Sequence, residues 1–213
     1  MSPAVFIPLA EQSDFILELG DFALREAVAA AVSCVQVGSP VEPPYVTVNI
    51  SALQFHDPDL VPMIEQTLLH SGLAPERLIL EITESVALRN VALTLTVIER
   101  LDGLGIGIAL DDFGTGFSSL SYLTRLHPRI IKIDKSFVSP THDSHENYTL
   151  LETIITLGTK LNMTLLAEGI ETPGQLEQLR LLNCHLGQGY LFSPAVPASE
   201  VAAMLGGAPG NWG

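Results

Sequence analysis

An α/β fold built as a TIM-like (β/α)8 barrel, incomplete at the amino terminus, is the architecture the sequence predicts, and three observations carry it. Short apolar runs of strand length alternate with segments of helical spacing, the pattern of a parallel sheet with crossover helices. Six of those runs deliver a polar or charged residue at or near the carboxyl end, where a barrel gathers its active site. No G-x-G-x-x-G follows a strand, as a doubly wound nucleotide-binding sheet would have in its first turn.

The opening, "SPAVFIPLAEQSDFILELGDFALREAV", reads as a loop running into a helix, and its Ala-rich "AVAAAV" as a core-facing helix stripe. The first strand is "YVTVN", ending at Asn49; "LILE" ends at Glu81; "IGIALDD" ends at Asp111 and Asp112. "RIIKID" carries Lys132 and Asp134, "TLLAE" ends at Glu168, and "HLGQG" holds Gln188. A further short strand is possible near Ala195. Between the strands, helices are predicted over 60–70, 90–104, 148–161 and 173–182. Gly72 reads as a C-terminal cap, and Thr172, Pro173 and Gln175 as N-cap, first-turn proline and capping-box partner. Six strands fall short of eight. One domain over 1–205 with a flexible tail over 206–213 is the expected organisation.

Charge and composition narrow the function. The 213 residues include 24 acids against 10 Lys and Arg, a net charge of -14, which opposes attraction to nucleic acid or to an anionic membrane surface. A phosphate substrate would need cations to offset that repulsion. Two cysteines without a C-x-x-C pair point to neither a zinc site nor a disulfide framework, so a reducing cytoplasm is the expected compartment. No segment reads as a membrane span or an export signal.

The strand ends offer oxygen donors: Asn49, Glu81, Asp111, Asp112 and Glu168, with the cation Lys132 among them. Two adjacent carboxylates closing a buried strand call for a partner, and hard oxygen ligands suit Mg²⁺ or Mn²⁺. Paired ions of this kind clamp the attacking and leaving oxygens in phosphoester hydrolysis. Glycines 114 and 116 would let the chain after Asp112 swing over a ligand. Simpler readings exist: Asn49 as a turn residue, Glu168 and Glu171 as complements to a helix N-terminus, Asp134 as a turn residue outside the candidate set. "THDSHE" reads as a polar loop, and His56, His70 and His127 as surface or cap residues.

The motifs "VNISALQF", "LEITES", "ALDDFGTGFSSLSYL", "IIKIDKSFV", "LLAEGIET" and "GQGYLFS" follow in one order from "FIPLAEQ" to "QGYLFSPAVP". In them the chain resembles the EAL family of cyclic di-GMP phosphodiesterases. The resemblance implies that cyclic di-GMP is hydrolysed to linear pGpG with two Mg²⁺ or Mn²⁺ ions. It implies Asn49, Glu81 and Asp111 as ligands of the first ion, Asp111 bridging and Asp112 holding the second, Lys132 as the catalytic lysine and Glu168 as general base or water-positioning group. Glu171 and Gln188 would support the pocket, and Glu84 would hold the loop in "DFGTGFSSL", also the expected homodimer contact. Arg129, Lys135 and His185 depart from the usual pattern without touching an implied ligand. The Glu-Ala-Leu signature would fall before Met1, so the implied chain lacks that ligand and its strand. A catalytically impaired module that binds cyclic di-GMP or a protein partner is therefore the alternative, and a dimerisation element a third.

Overall fold

The computed structural model describes residues 3–36, 44–114, 120–139 and 144–206. Six strands occur among them, at the six predicted places: β1 (Val46–Asn49), β2 (Leu78–Thr83), β3 (Gly107–Phe113), β4 (Ile130–Ile133), β5 (Thr164–Ala167) and β6 (Leu186–Gly187). The chain forms two compact units, one of Met1–Glu81, Asn90–Gly107 and Val196–Gly213, the other of Ile82–Arg89 and Ile108–Ala195.

In the first unit β1 and β2 pair in parallel, with Asn49 opposite Glu81, and the Ile50 N–H extends the ladder to the Glu81 carbonyl at 2.9 Å. β2 is buried from Leu78 to Ile82, an uninterrupted apolar run but for Glu81, as a strand covered on both faces requires. The opening segment is helical rather than a loop. It forms α1 (Pro3–Glu11), with Pro8 inside it, and α2 (Phe15–Gln36), whose Leu24, Val28 and Ala31 are buried as the Ala-rich stripe predicts. A short α3 (Ala52–Phe55) follows β1. Ser51 and Gln54 close a capping box there, and Phe55 is wholly buried. α4 (Leu60–Ser71) buries Leu60, Val61, Ile64 and Leu68 at helical spacing and stops at Gly72, whose φ of 72° is the left-handed cap expected.

The second unit carries the larger parallel set. β3 pairs with β4, β4 with β5 and β5 with β6. β4 is four residues long and buried throughout, so Lys132 lies in the interior of the unit. Helix α5 (Glu84–Arg89) leaves the end of β2, and α6 (Val91–Gly103), in the first unit, starts at the N-cap Asn90. After β3 come α7 (Leu120–Leu126), α8 (Lys135–Val138) and α9 (Ser144–Lys160), the last reaching upstream of the predicted start so that Ser144 onward is helix. α10 (Pro173–Leu181) begins as predicted: Thr172 accepts from the Gln175 N–H and Gln175 reaches back, with Pro173 in the first turn. α11 (Ala198–Gly206) closes the described chain. No strand forms near Ala195 among the described residues; 193–197 are irregular. Segments 115–119 and 140–143 and the end of the tail, with Gly116 and His142, lie outside the described residues.

Gly189 shows how tightly the chain after β6 is packed. The Ile170 N–H donates to the Gln188 carbonyl at 3.1 Å and the Leu191 N–H to the Ile170 carbonyl at 2.9 Å. A Cβ on Gly189 would lie 2.1 Å from that Ile170 oxygen, a backbone atom that cannot swing away. Gly189→Ala is expected to cost about 3 kcal/mol, a drop of roughly 6–12 °C in Tm for a domain of this size. A melting curve matching the parent would refute the packing described.

Candidate functional site

The second unit gathers its polar residues at the carboxyl ends of its parallel strands. Register makes this happen: Lys132 pairs with Leu166 and Ile133 with Ala167, so the next residue on β5, Glu168, donates its N–H to the Ile133 carbonyl at 3.1 Å. Ala167 pairs with Gly187, and the Gln188 N–H donates to the Ala167 carbonyl at 2.8 Å. Glu168 and Gln188 thus stand one step beyond two neighbouring strands.

β3 reaches the same level by an irregularity. Leu110 pairs with Ile131 and Phe113 with Ile133, so Asp111 and Asp112 together span the single residue Lys132. This is a β-bulge, and Asp112 adopts φ 55°, left-handed backbone that a non-glycine residue rarely takes. In a regular strand two successive side chains face opposite ways. The bulge breaks that alternation, and the Asp112 N–H turns back onto Asp111 Oδ1 at 2.9 Å.

Lys132 ties three strands together. Its Nζ lies 3.1 Å from Asp111 Oδ1 and 2.7 Å from Glu168 Oε1, its side chain 6% exposed against 15% and 21% for the two acids. A buried ammonium requires such partners, so a surface position for Lys132 is excluded. Asp112 is the exposed member, and its carboxyl is raised above the usual range first by desolvation, then by the charges of Asp111 and Asp134, against a smaller lowering by Lys132.

Asp134, outside the predicted set, contributes to that crowding and also has a local task. It is the N-cap of α8, accepting from the Ser136 N–H at 2.9 Å. Burial pushes its carboxyl up, but hydrogen bonds from Ser136 and Lys135 and the Lys135 charge outweigh that and hold it below 3.8. A lowered carboxyl stabilises the fold above its unfolded value and loses that contribution as pH falls through the folded one. Asp134→Ala is expected to cost about 1 kcal/mol at pH 7 and progressively less under pH 4. Equal losses at pH 7 and pH 3 in chemical denaturation would contradict the cap. The KID motif marked the residue; its closeness to Asp112 depends on the bulge.

The remaining candidates are placed as follows. Glu84 opens α5 and is 6% exposed, with both carboxylate oxygens lacking a hydrogen-bond partner among the described residues. The loop it was expected to hold, with the homodimer contact, falls on 115–119. Glu171 is exposed and gives its backbone N–H to Gln175 Oε1 at 2.8 Å, part of the α10 start. Gln188 is exposed. In the first unit Asn49 is the exposed last residue of β1, level with Glu81, which is 5% exposed and sits two residues before the end of β2 rather than at it. Among the described residues no group of three or more His, Cys, Asp or Glu is drawn together into a ready metal cage. His56 is a helix C-cap, its Nδ1 2.9 Å from the Ala52 carbonyl, while His70 and His127 are exposed. Cys34 and Cys184 are free thiols, and among the described residues no helix is long and apolar enough to cross a membrane.

Comparison with known proteins bears on the family and the fold. The EAL domain model matches residues 1–195. Over 209 residues the chain is 38% identical to MucR of Pseudomonas aeruginosa, a bifunctional diguanylate cyclase/cyclic di-GMP phosphodiesterase; the match covers 96% of this chain and 30% of that protein. The chain thus spans under a third of that relative's length. A solved structure of the PaMucR phosphodiesterase in complex with c-di-GMP superposes with a TM-score of 0.88 at 39% identity, covering 94% of this chain and 81% of that one. Klebsiella pneumoniae BlrP1, solved with manganese and cyclic di-GMP, gives a TM-score of 0.73 at 30% identity over 83% of this chain and 44% of that one. The fold is therefore the TIM-barrel-like one of these domains, with six strands among the described residues. The chain belongs to the EAL domain family.

Proposed function

We propose that this chain is a phosphodiesterase module that hydrolyses cyclic di-GMP to linear pGpG with the help of two hard divalent cations, Mg²⁺ or Mn²⁺, in bacterial second-messenger signalling in the cytoplasm. The observation that carries the reading is Lys132 bridging Asp111 and Glu168 beside the Asp111–Asp112 bulge, at strand ends that follow the family's motif order.

The donor set fits such ions: each of the candidate ligands Asn49, Glu81, Asp111 and Asp112 offers a hard oxygen donor. When bound, a pair of ions would neutralise phosphoryl charge and orient the attacking and leaving oxygens. Lys132 stabilises negative charge developing on the phosphoryl oxygens from a buried position. Glu168, oriented by Lys132 through Oε1, takes the proton of the attacking water as its oxygen bonds to phosphorus; the departing ribose oxygen leaves with the electrons of the broken P–O bond and is protonated in turn. Gln188 and Glu171 line the approach.

A second reading is compatible with the same comparisons. A module that binds cyclic di-GMP without turning it over would share the family and the fold. Incubation with cyclic di-GMP and Mn²⁺, followed by chromatography for pGpG, separates the two. Product formation supports the enzyme; calorimetric binding without product supports the binding module; neither result sinks both.

A further inference from the structure

α5 cannot sustain itself. With only six residues it is far below the length at which a helix is stable alone, and its last-turn carbonyls have no partner within the helix. Its start is held by Thr83, whose Oγ1 accepts from the Val86 N–H at 3.4 Å. Its far end is held from another element: the Tyr122 hydroxyl, on α7, donates to the Ala87 carbonyl at 2.5 Å. Ala87 is 0% exposed and Tyr122 is buried, so water cannot replace that donor. Glu84, on the same helix one turn earlier, has a buried carboxylate that cannot afford to wander.

We propose that Tyr122 is a positioning residue, fixing α5 through the Ala87 carbonyl and thereby setting where the Glu84 carboxylate stands. The inference rests on the proposed phosphodiesterase activity for its catalytic consequence, though not for its structural one. α7 is the next element after β3 among the described residues, so the same bond joins it to the helix carrying Glu84. Tyr122→Phe removes one oxygen and keeps the ring, leaving the core packing in place.

Two measurements on the full chain test it. Amide hydrogen exchange in α5 is expected to quicken by about tenfold in Tyr122→Phe, with β4 and β5 unchanged; unchanged exchange in α5, or a uniform rise across the chain, overturns the proposal. In a double-mutant cycle on kcat, Tyr122→Phe is expected to lower turnover about fivefold in the parent and to add nothing in a Glu84→Gln background. Independent, multiplying effects overturn the link to Glu84. Should the parent release no pGpG, the functional reading fails, and the exchange experiment alone still decides whether Tyr122 positions α5.

Discussion

Replacing Lys132 by methionine is expected to lower kcat for cyclic di-GMP by about a hundred- to a thousand-fold, the range seen when one preorganised electrostatic stabiliser is removed. Methionine keeps the unbranched stem that fills the interior of β4 and deletes only the charge. Affinity for divalent ions should not fall with it. Asp111 and Glu168 lose the ammonium that they share at 3.1 and 2.7 Å, so the local field becomes more negative and more attractive to a cation. The variant should therefore bind Mn²⁺ at least as tightly as the parent while turning over almost nothing. In metal-free buffer the two acids are left facing each other, partly solvated; a loss of about 2 kcal/mol is expected, less than for a fully buried pair. Titration of Mn²⁺ by calorimetry beside a steady-state assay checks both halves. A variant retaining most of its turnover would remove Lys132 from the mechanism.

Asp112→Asn should behave in the opposite way. Asparagine is among the few side chains that accept left-handed backbone, so the φ of 55° is kept without new strain. The raised carboxyl at this position means that holding it ionised works against the fold at neutral pH. For an acid shifted upward the sign is that stability improves as pH falls from the folded value towards 3.8, and the penalty is fully present above the folded value. Removing the charge should thus raise the metal-free Tm by about 1–3 °C at pH 7, and the gain should shrink at acid pH. Function moves the other way: the concentration of Mn²⁺ at half-maximal activity should rise at least about tenfold, because a carboxylate ligand becomes a weaker neutral one. Gain in stability with loss of metal response is the signature of an acid kept for binding rather than for folding. A variant that is destabilised without metal, or that keeps the parent's Mn²⁺ dependence, contradicts this assignment of Asp112.

The strand ends and caps are legible in the sequence for reasons that differ by residue. Asn49, Lys132 and Glu168 are legible because apolar runs of four or five residues announce a parallel strand and the polar residue at or near the end marks its mouth. Thr172 with Gln175, and Gly72, were legible because caps are local chemistry. The bulge was not. Nothing in "ALDDFG" tells whether two acids share one register position; that depends on which residues of β4 they meet, a long-range fact. Glu81 was misplaced as a strand end because "LILE" closes the apolar run, while pairing carries β2 on to Thr83. α1 reads as a loop in the sequence because Pro8 and a weak periodicity hide it, yet proline sits inside a helix there. Tyr122 was invisible for the most basic reason: its partner is a backbone carbonyl 35 residues away, and a carbonyl has no letter in the sequence.

A pair of hard cations held by side chains at the strand ends is the centre of the proposed mechanism, and counting bound ions tests it directly. Mn²⁺ binding to the full chain, followed by electron paramagnetic resonance of the free ion, should give two equivalents per chain in the parent, one of them held at least about tenfold more weakly in Asp112→Asn. A parent that binds no Mn²⁺ up to millimolar concentrations, or an Asp112→Asn variant with both affinities unchanged, would contradict it.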